Sequence, residues 1–242
     1  MKTQINNNSA IFLCGHGSRS DSYSQNLINI KKKLEKRIKL KVFSCFIEIN
    51  NPSLEECLSK YSEKFDKIFI FPFLIFEGKH FKKDIFELVE TFNKKPNNII
   101  LIDKISLLDE ILPITLNILK KKIRKGKKTV LVTSSSYSKE KSVLLSLKKY
   151  TSALSHELTL SHSFFHYAGE EQIVIKQLKL VDSDKLSVLL HPIFLFEGFL
   201  YSKNTKCFFD NFADKVLVTN PLIKEDEIFE IMVKKLIDNI FN

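Results

Sequence analysis

The sequence has few cysteines, and none of them are paired at close spacing. Cys14, Cys45, Cys57 and Cys207 form no Cys-x-x-Cys motif, the spacing from which protein zinc and iron–sulfur sites are commonly built. Cys14 and Cys45 lie inside apolar runs typical of strands. We therefore expect buried, free thiols in a reducing compartment and no cysteine-based metal centre.

Long hydrophobic runs are also missing. The longest apolar stretch, residues 68–76, is interrupted by Pro72 and is far shorter than the roughly 20 residues that a membrane-spanning helix needs. Residues 1–9 contain no apolar segment of signal-peptide length. We therefore expect a soluble, cytoplasmic protein that has no membrane partner.

Arginine is scarce although the chain is basic. The formal net charge is +10, yet Arg19, Arg37 and Arg124 are the only arginines and lysine supplies the rest. A nucleic-acid interface would favour arginine and interleaved aromatic residues on one face, and no such stripe is visible, so we expect no nucleic-acid partner. Two causes of the charge stay open, namely nucleotide bias in an AT-rich genome and an acidic ligand.

One segment of the first half of the chain is repeated in the second half. The sequence FPFLIFEGKHFKKD at residues 71–84 recurs as HPIFLFEGFLYSKN at residues 191–204, which is 120 residues later. A repeat of this length is too long for a solenoid unit. It indicates two similar domains related by internal duplication.

Two further pairings fall near the same offset, and they predict an asymmetry between the halves. They join IFLCGHGS (11–18) to VLVTSSSY (130–137), and CFIE (45–48) to SFFH (163–166). Together the three pairings align His16 with Ser135, Glu48 with His166, and His80 with Leu200. We therefore expect the first domain to supply the chemistry and the second to form the other wall of a cleft.

Hydrophobic patterning predicts an α/β fold in which each domain is a four-stranded parallel sheet flanked by helices. Near-continuous apolar runs alternate with longer, lysine-rich amphipathic segments, which is typical of parallel strands buried on both faces. The predicted strands are 10–14, 41–47, 67–71, 98–102, 129–133, 157–165, 185–190 and 215–218. The predicted helices are 22–37, 53–64, 81–93 and 107–122, with a matching series that ends at 225–241.

Local signals support these boundaries. Ser53 followed by Glu56 has the spacing of a capping box at a helix start. The basic tract 120–128 suits a helix end, and Gly126 can take the left-handed conformation that follows it. We place the domain boundary there, which gives an N-terminal domain of residues 1–125 and a C-terminal domain of residues 126–242.

Three residues able to bind a metal ion or a proton follow successive strands of the first domain. His16 follows the first strand, Glu48 closes the second, and His80 follows the third. Because ligands of open parallel sheets bind at the carboxyl ends of the strands, we expect all three at one edge. Two imidazoles and a carboxylate suit Co²⁺, Fe²⁺, Ni²⁺ or Zn²⁺.

The same three segments resemble the sirohydrochlorin chelatase family, the class II tetrapyrrole chelatases in their long two-domain form. The resemblance rests on LCGHGSR (13–19), FIE (46–48) with NPSL behind it, and PFLIFEGKHFKKDI (72–85), in this order and spacing. The second domain matches only in architecture and at residues 196–198. The resemblance implies a lyase-class chelatase that inserts Co²⁺ or Fe²⁺ into sirohydrochlorin for cobalamin or siroheme biosynthesis, with His16 and His80 as metal ligands.

The chemistry of insertion agrees with this resemblance. Metallation releases the pyrrole protons, so the site needs a general base and a metal that is held loosely enough to be handed over. We expect His16, Glu48 and His80 to be catalytic, with Glu48 accepting protons or orienting a histidine. The acetate and propionate groups of sirohydrochlorin need cationic or hydrogen-bonding partners. The candidate residues are Ser18, Arg19, Lys79, Lys82 and Lys83.

Several alternatives remain open at this stage. A non-catalytic protein that binds or delivers a metal or a tetrapyrrole would have nearly the same sequence, whereas a serine hydrolase is disfavoured because Ser18 lacks the Gly-x-Ser-x-Gly pattern. The sequence does not separate Co²⁺ from Fe²⁺ or Ni²⁺, nor a monomer from a homodimer. It also leaves open whether His166 or His191 contributes to the cleft. We expect no tightly bound cofactor, only a divalent metal substrate.

Overall fold

The computed structural model describes residues 8–76, 84–93, 98–124, 126–181 and 185–241. The chain divides into two compact units, which are residues 1–105 with 229–242, and residues 106–228. Across these described ranges, no helix is both long and apolar enough to cross a membrane.

Strands and helices alternate along the chain. The strands are β1 (Ser9–Gly15), β2 (Lys41–Phe46), β3 (Lys67–Phe73), β4 (Ile99–Leu101), β5 (Lys128–Ser135), β6 (Ser163–Tyr167), β7 (Leu186–Pro192) and β8 (Val216–Val218). The α-helices are α1 (Asp21–Ile38), α2 (Leu54–Tyr61), α3 (Phe86–Phe92), α4 (Leu112–Lys122), α5 (Lys141–Glu157), α6 (Glu171–Leu178), α7 (Phe199–Phe212) and α8 (Asp226–Phe241). A π-helical turn, Leu107–Ile111, leads into α4.

The first unit contains a four-stranded parallel sheet in the order β2-β1-β3-β4. All seven residues of β1 are buried, as expected for a strand in the middle of a sheet with both faces covered. On one face, Phe12 packs edge-on against Phe43 with ring centroids 5.5 Å apart. Burying each such side chain contributes about 1.5–3 kcal/mol, so the central strands hold the unit together and fix the edge where β1 and β2 end.

The second unit repeats this architecture. Its strands are parallel and lie in the order β6-β5-β7-β8, which is the order of the first sheet shifted by four strands. Val130, Val188 and Leu190 are among the buried residues of its core. The two sheets confirm the predicted fold class of duplicated, four-stranded parallel α/β domains.

The compact units do not divide at the predicted position between residues 125 and 126. Helix α4 packs in the second unit, where the hydroxyl of Thr115 accepts a hydrogen bond of 2.7 Å from Tyr150 of α5. Helix α8 returns to the first unit, where Glu230 pairs with Arg37 at 3.8 Å. The basic tract at residues 120–128 does mark a helix end, but the charge of a helix end does not specify which sheet the helix covers.

One predicted strand is wrong in its first half. The sequence predicted a strand at 157–165, whereas α5 continues to Glu157 and β6 begins only at Ser163. The helix ends with Thr159 in the left-handed region (φ 51°) and with the amide of Leu160 bonded to the carbonyl of Ser155 at 2.9 Å. These terminal hydrogen bonds satisfy the last helical carbonyls, and the alternating apolar residues Leu158 and Leu160, which suggested a strand, lie at the helix end instead.

The predicted caps are confirmed. The hydroxyl of Ser53 accepts a hydrogen bond from the amide of Glu56 at 3.0 Å, and the Glu56 carboxylate accepts one from the amide of Ser53 at 2.7 Å. Gly126 takes a positive φ of 74° after the basic helix end. The capping box fixes the start of α2, and therefore the length of the loop that carries Glu48.

Candidate metal and catalytic site

His16 and Glu48 lie side by side at the carboxyl edge of the first sheet, as predicted. Backbone pairing between β1 and β2 continues past the strand ends, because the amide of Ile47 donates to the carbonyl of Gly15 at 2.9 Å. The amide of Glu48 then donates to the carbonyl of His16 at 3.1 Å. The two side chains consequently start from neighbouring backbone positions.

The His16 imidazole and the Glu48 carboxylate are directly paired. Nε2 of His16 lies 3.2 Å from Oε1 of Glu48, and the side chains are 40% and 45% exposed. Two donor atoms that bind one metal ion at about 2.0–2.1 Å, at roughly 90–110° to each other, lie about 2.9–3.4 Å apart. The observed separation is therefore suitable for a shared metal ion as well as for a shared proton.

The other ring nitrogen of His16 fixes the tautomer. Nδ1 lies 3.3 Å from the carbonyl oxygen of Gly17, and a carbonyl only accepts hydrogen bonds, so Nδ1 carries the hydrogen. Nε2 is then the nitrogen that exchanges a proton or binds a metal. Histidine ligands commonly donate their second N–H to a backbone carbonyl in this way, which orients the ring.

Tyr23 of α1 supports the His16 turn from the interior. Its hydroxyl oxygen accepts a hydrogen bond from the amide of His16 at 3.1 Å. Burial raises the pKa of Tyr23 to about 12, so the phenol stays protonated at neutral pH. A β-carbon on Gly15 would lie 3.0 Å from this hydroxyl oxygen, so the phenol packs closely against the end of β1.

The loop after β2 contacts the loop after β1 through backbone atoms. Gly17 has φ +102°, a conformation that L side chains rarely adopt, and the carbonyl oxygen of Glu48 occupies the place of its missing β-carbon. Asn50 then joins the two loops, since its Oδ1 accepts a 2.6 Å hydrogen bond from the amide of Ser18. Sequence reasoning missed both Tyr23 and Asn50, because nothing in their spacing identifies a partner.

The structure describes two of the five predicted substrate-binding residues. Arg19 is exposed to solvent. The hydroxyl of Ser18 accepts a hydrogen bond from the amide of Ser20 at 3.1 Å, just before α1, so this side chain has a local role. Lys79, Lys82 and Lys83 lie outside the described residues, and so does His80, the second predicted metal ligand.

The register of the second sheet corrects two of the predicted pairings. The amide of Ala168 donates to the carbonyl of Ser135 at 2.8 Å, as Ile47 does to Gly15 in the first unit. Ser135 therefore corresponds to Gly15, which places Ser136 opposite His16. On the same register Gly169 corresponds to Glu48, and His166 corresponds to Cys45. The two pairs of segments are too weakly similar in sequence to fix this register, which the strand pairing determines.

His166 lies in a buried polar network of the second unit. Its Nδ1 donates to the carbonyl of Tyr167 at 2.9 Å, and burial lowers the pKa of the imidazole. Asn204 is fully buried beside it and accepts a hydrogen bond from the hydroxyl of Ser134 at 2.9 Å. Its amide donates to Glu171 at 3.2 Å. Such a satisfied network is typical of a structural core.

His191 is also internal to the second unit, being only 1% exposed. Tyr150 donates its hydroxyl hydrogen to Thr115 at 2.7 Å, so the hydroxyl oxygen accepts from Nε2 of His191 at 3.0 Å. Nδ1 of His191 then accepts from the hydroxyl of Thr219 at 2.7 Å. Burial lowers the pKa of His191 to about 3, so this imidazole is neutral and fully hydrogen-bonded.

No group of three or more His, Cys, Asp or Glu side chains arranged to hold a metal ion occurs within the described residues. The His16–Glu48 pair is therefore incomplete in the part of the chain that the structure covers.

Two comparisons by sequence match part of the chain. The CbiX family model matches residues 10–120. A sirohydrochlorin cobaltochelatase from Sulfolobus acidocaldarius is 37% identical over 86 residues, which cover 35% of this chain and 69% of the relative. The region that the family model matches covers the first sheet from Ala10 of β1 to the end of β4.

Solved structures share the whole two-unit fold. SirB from Bacillus subtilis with Fe³⁺ aligns with a TM-score of 0.74 at 16% identity, covering 96% of this chain and 95% of SirB. The sirohydrochlorin chelatase SirB from Bacillus subtilis subspecies spizizenii in complex with cobalt aligns with a TM-score of 0.71 at 15% identity and the same coverage. At these identities the likeness shows the fold. Together with the sequence relative, it confirms the resemblance found in the motifs, and the chain belongs to the CbiX family of sirohydrochlorin chelatases.

Proposed function

We propose that this protein inserts a divalent metal ion, Co²⁺ or Fe²⁺, into sirohydrochlorin at the carboxyl edge of its first sheet. The observation that carries the proposal is the His16–Glu48 pair, with Nε2 and Oε1 3.2 Å apart and Nδ1 directed to the Gly17 carbonyl. It supplies a metal-binding nitrogen and a proton acceptor in one place. Both side chains are partly exposed, so a ligand can reach them.

Metal insertion requires that charge and protons balance. The ion arrives as M²⁺, two pyrrole N–H bonds break, and the product is the neutral metal–nitrogen core with two protons released. Nε2 of His16 would hold the incoming ion, and His80, the second histidine of the family motif, would be the other protein ligand. Two protein ligands leave positions for pyrrole nitrogens, as a transit site requires.

Glu48 is the group best suited to take a released proton. Its carboxylate is already aligned with Nε2 of His16, so a proton can pass within the pair when the ion leaves for the macrocycle. General bases of this kind typically contribute about 10²–10⁴-fold to the rate. The exposed carboxylate also allows the proton to leave to solvent.

The substrate carboxylates need cationic partners near the same edge. Arg19 follows Ser18 in the loop after β1 and is exposed, so its guanidinium is available for a bidentate contact with an acetate or propionate group. We propose Lys79, Lys82 and Lys83 as further partners, on the strength of the family motif. The metal ion remains Co²⁺ or Fe²⁺, because nitrogen and oxygen donors accept either.

The test is an anaerobic assay with sirohydrochlorin and each metal ion in turn, followed by visible absorbance. We expect several macrocycles to be metallated per protein, and we expect His16→Ala and Glu48→Gln to lower the rate at least about 100-fold. His156→Ala is the matched control, since the His156 side chain is 87% exposed and lies in the other unit. Wild-type turnover by the His16 variant would refute the site, and stoichiometric uptake without turnover would favour a binding or delivery protein.

A further inference from the structure

The strands alone do not fix the distance between His16 and Glu48. β1 ends at Gly15 and β2 ends at Phe46, so both residues stand on loops beyond the sheet. Their side chains are nearly half exposed and gain little restraint from packing. Backbone hydrogen bonds from Ile47 to Gly15 and from Glu48 to His16 join the loops at their start, and the orientation of the two side chains depends on contacts further along each loop.

The loop after β2 makes a γ-turn at this point. The amide of Asn50 donates to the carbonyl of Glu48 at 2.8 Å, and Ile49 between them has a positive φ of 71°. This conformation is rare for a β-branched residue. Such strain persists only where contacts with the surrounding structure hold the backbone in that conformation.

The γ-turn directs two side chains toward the His16 loop. Glu48 reaches the imidazole, and Asn50 reaches the backbone on the other side of the histidine, where Oδ1 accepts the amide of Ser18 at 2.6 Å. Between these two contacts, the Glu48 carbonyl lies against Gly17. A single three-residue turn therefore contacts both ends of the segment from His16 to Ser18.

We infer that Asn50 is a positioning residue for the His16–Glu48 pair, and this inference rests on the proposed function of that pair. Its side-chain oxygen holds the Ser18 amide, which keeps the Gly17 carbonyl where Nδ1 of His16 can donate to it. The imidazole is then oriented with Nε2 toward Glu48. In this role Asn50 acts through the backbone of the loop after β1 and needs no contact with the metal ion or the macrocycle.

The acceptor oxygen, and not the amide group, is the feature that matters. Asn50→Ala removes the acceptor, whereas Asn50→Asp keeps an oxygen at the same distance along the side chain. Asn29→Ala is the matched control, because Asn29 is an exposed asparagine of α1 whose Oδ1 accepts a hydrogen bond from the Gln25 side chain at 3.3 Å. Asn50 is only partly buried, so we expect its loss to shift the Tm by no more than about 4 °C.

Two measurements separate positioning from stability. Titration with Co²⁺ alone gives a Kd and an absorption spectrum for the ion, and the assay with sirohydrochlorin gives kcat and KM. We expect Asn50→Ala to weaken Co²⁺ binding and to lower kcat, each about 10-fold or more, with the KM for sirohydrochlorin unchanged. Asn50→Asp should recover most of both losses, and Asn29→Ala should match the wild type.

Each result has a defined meaning. A wild-type Co²⁺ Kd and kcat for Asn50→Ala would overturn the inference, and so would a folded Asn50→Asp variant that recovers neither. If Asn50→Ala does not fold, the Asn50→Asp variant decides alone. If the wild-type protein binds Co²⁺ but never metallates sirohydrochlorin, the proposed function fails, while the Co²⁺ titration still tests the role of Asn50.

Discussion

The carbonyl oxygen of Glu48 occupies the space that a β-carbon on Gly17 would need. The two loops that carry His16 and Glu48 are therefore in backbone contact, and a glycine is required where they meet. Gly17 also has φ +102°, so both conformation and space exclude a side chain at this position.

Gly17→Ala should consequently lose stability and metal binding together. The matched control is Gly169→Ala, because Gly169 has nearly the same φ of +106° but nothing within 4 Å of the added β-carbon. We expect Gly169→Ala to cost about 1–2 kcal/mol from backbone strain alone and Gly17→Ala to cost more. Urea unfolding and Co²⁺ titration of both variants measure the losses of stability and of metal binding. Equal losses of stability in the two variants would show that the close approach of the Glu48 carbonyl to Gly17 does not matter.

Arg19→Ala should weaken substrate binding more than it slows the chemistry. A guanidinium that clamps a substrate carboxylate acts in the ground state and the transition state alike, so KM rises while kcat changes little. Because Arg19 is exposed, the effect should shrink as salt screens the contact. Arg37→Ala is the control, since Arg37 pairs with Glu230 on the surface of the same unit. An unchanged KM for Arg19→Ala would remove Arg19 from the binding site.

The buried His191 should make the protein less stable in mild acid. Burial lowers its folded pKa to about 3, whereas the unfolded value is about 6.5. Because the pKa is lower in the folded protein than in the unfolded chain, the full free energy of unfolding is present above the unfolded pKa. Part of it is lost as the pH falls below that value. From pH 7 to pH 5 the loss is about 2 kcal/mol, and it grows until about pH 3.

Urea unfolding at pH 7 and pH 5 measures this loss. His191→Phe fills a similar volume without a titrating ring, so its stability should change less over the same interval. His156→Phe, at an exposed histidine in the same unit, should keep the wild-type pH dependence. If His191→Phe keeps it as well, another group is responsible for the loss.

The sequence was sufficient for the sheets and for the positions of His16 and Glu48 at the edge of the first sheet. Continuous apolar runs predicted every strand position except the first half of residues 157–165, and the rule that ligands bind at strand ends brought His16 and Glu48 together. These features depend on local pattern and on parallel topology. Both can be read without knowledge of loop conformation.

Other features depend on contacts that carry no sequence pattern. Asn50 bonds a backbone amide 32 residues away, and no side-chain spacing marks that partner. The pairing of Glu48 with His166 was wrong by three residues, because the two short apolar segments resemble each other in more than one alignment and only the strand pairing fixes the register. The sequence likewise does not show which sheet α4 and α8 cover, because amphipathic helices with similar apolar faces can pack on either sheet.

The two copies of the repeat differ at the position of the proposed second metal ligand. The sequence pairs His80 with Leu200, and Leu200 at the start of α7 is 38% exposed. Leu200→Ala should therefore cost less than the 2–5 kcal/mol typical of a buried leucine and leave metal insertion intact. His80→Ala should abolish insertion, because the proposed site would lose one of its two histidine ligands. Chelatase rate and Tm, measured on both variants, make the comparison, and wild-type turnover by His80→Ala would show that metal insertion does not need the first copy of the motif.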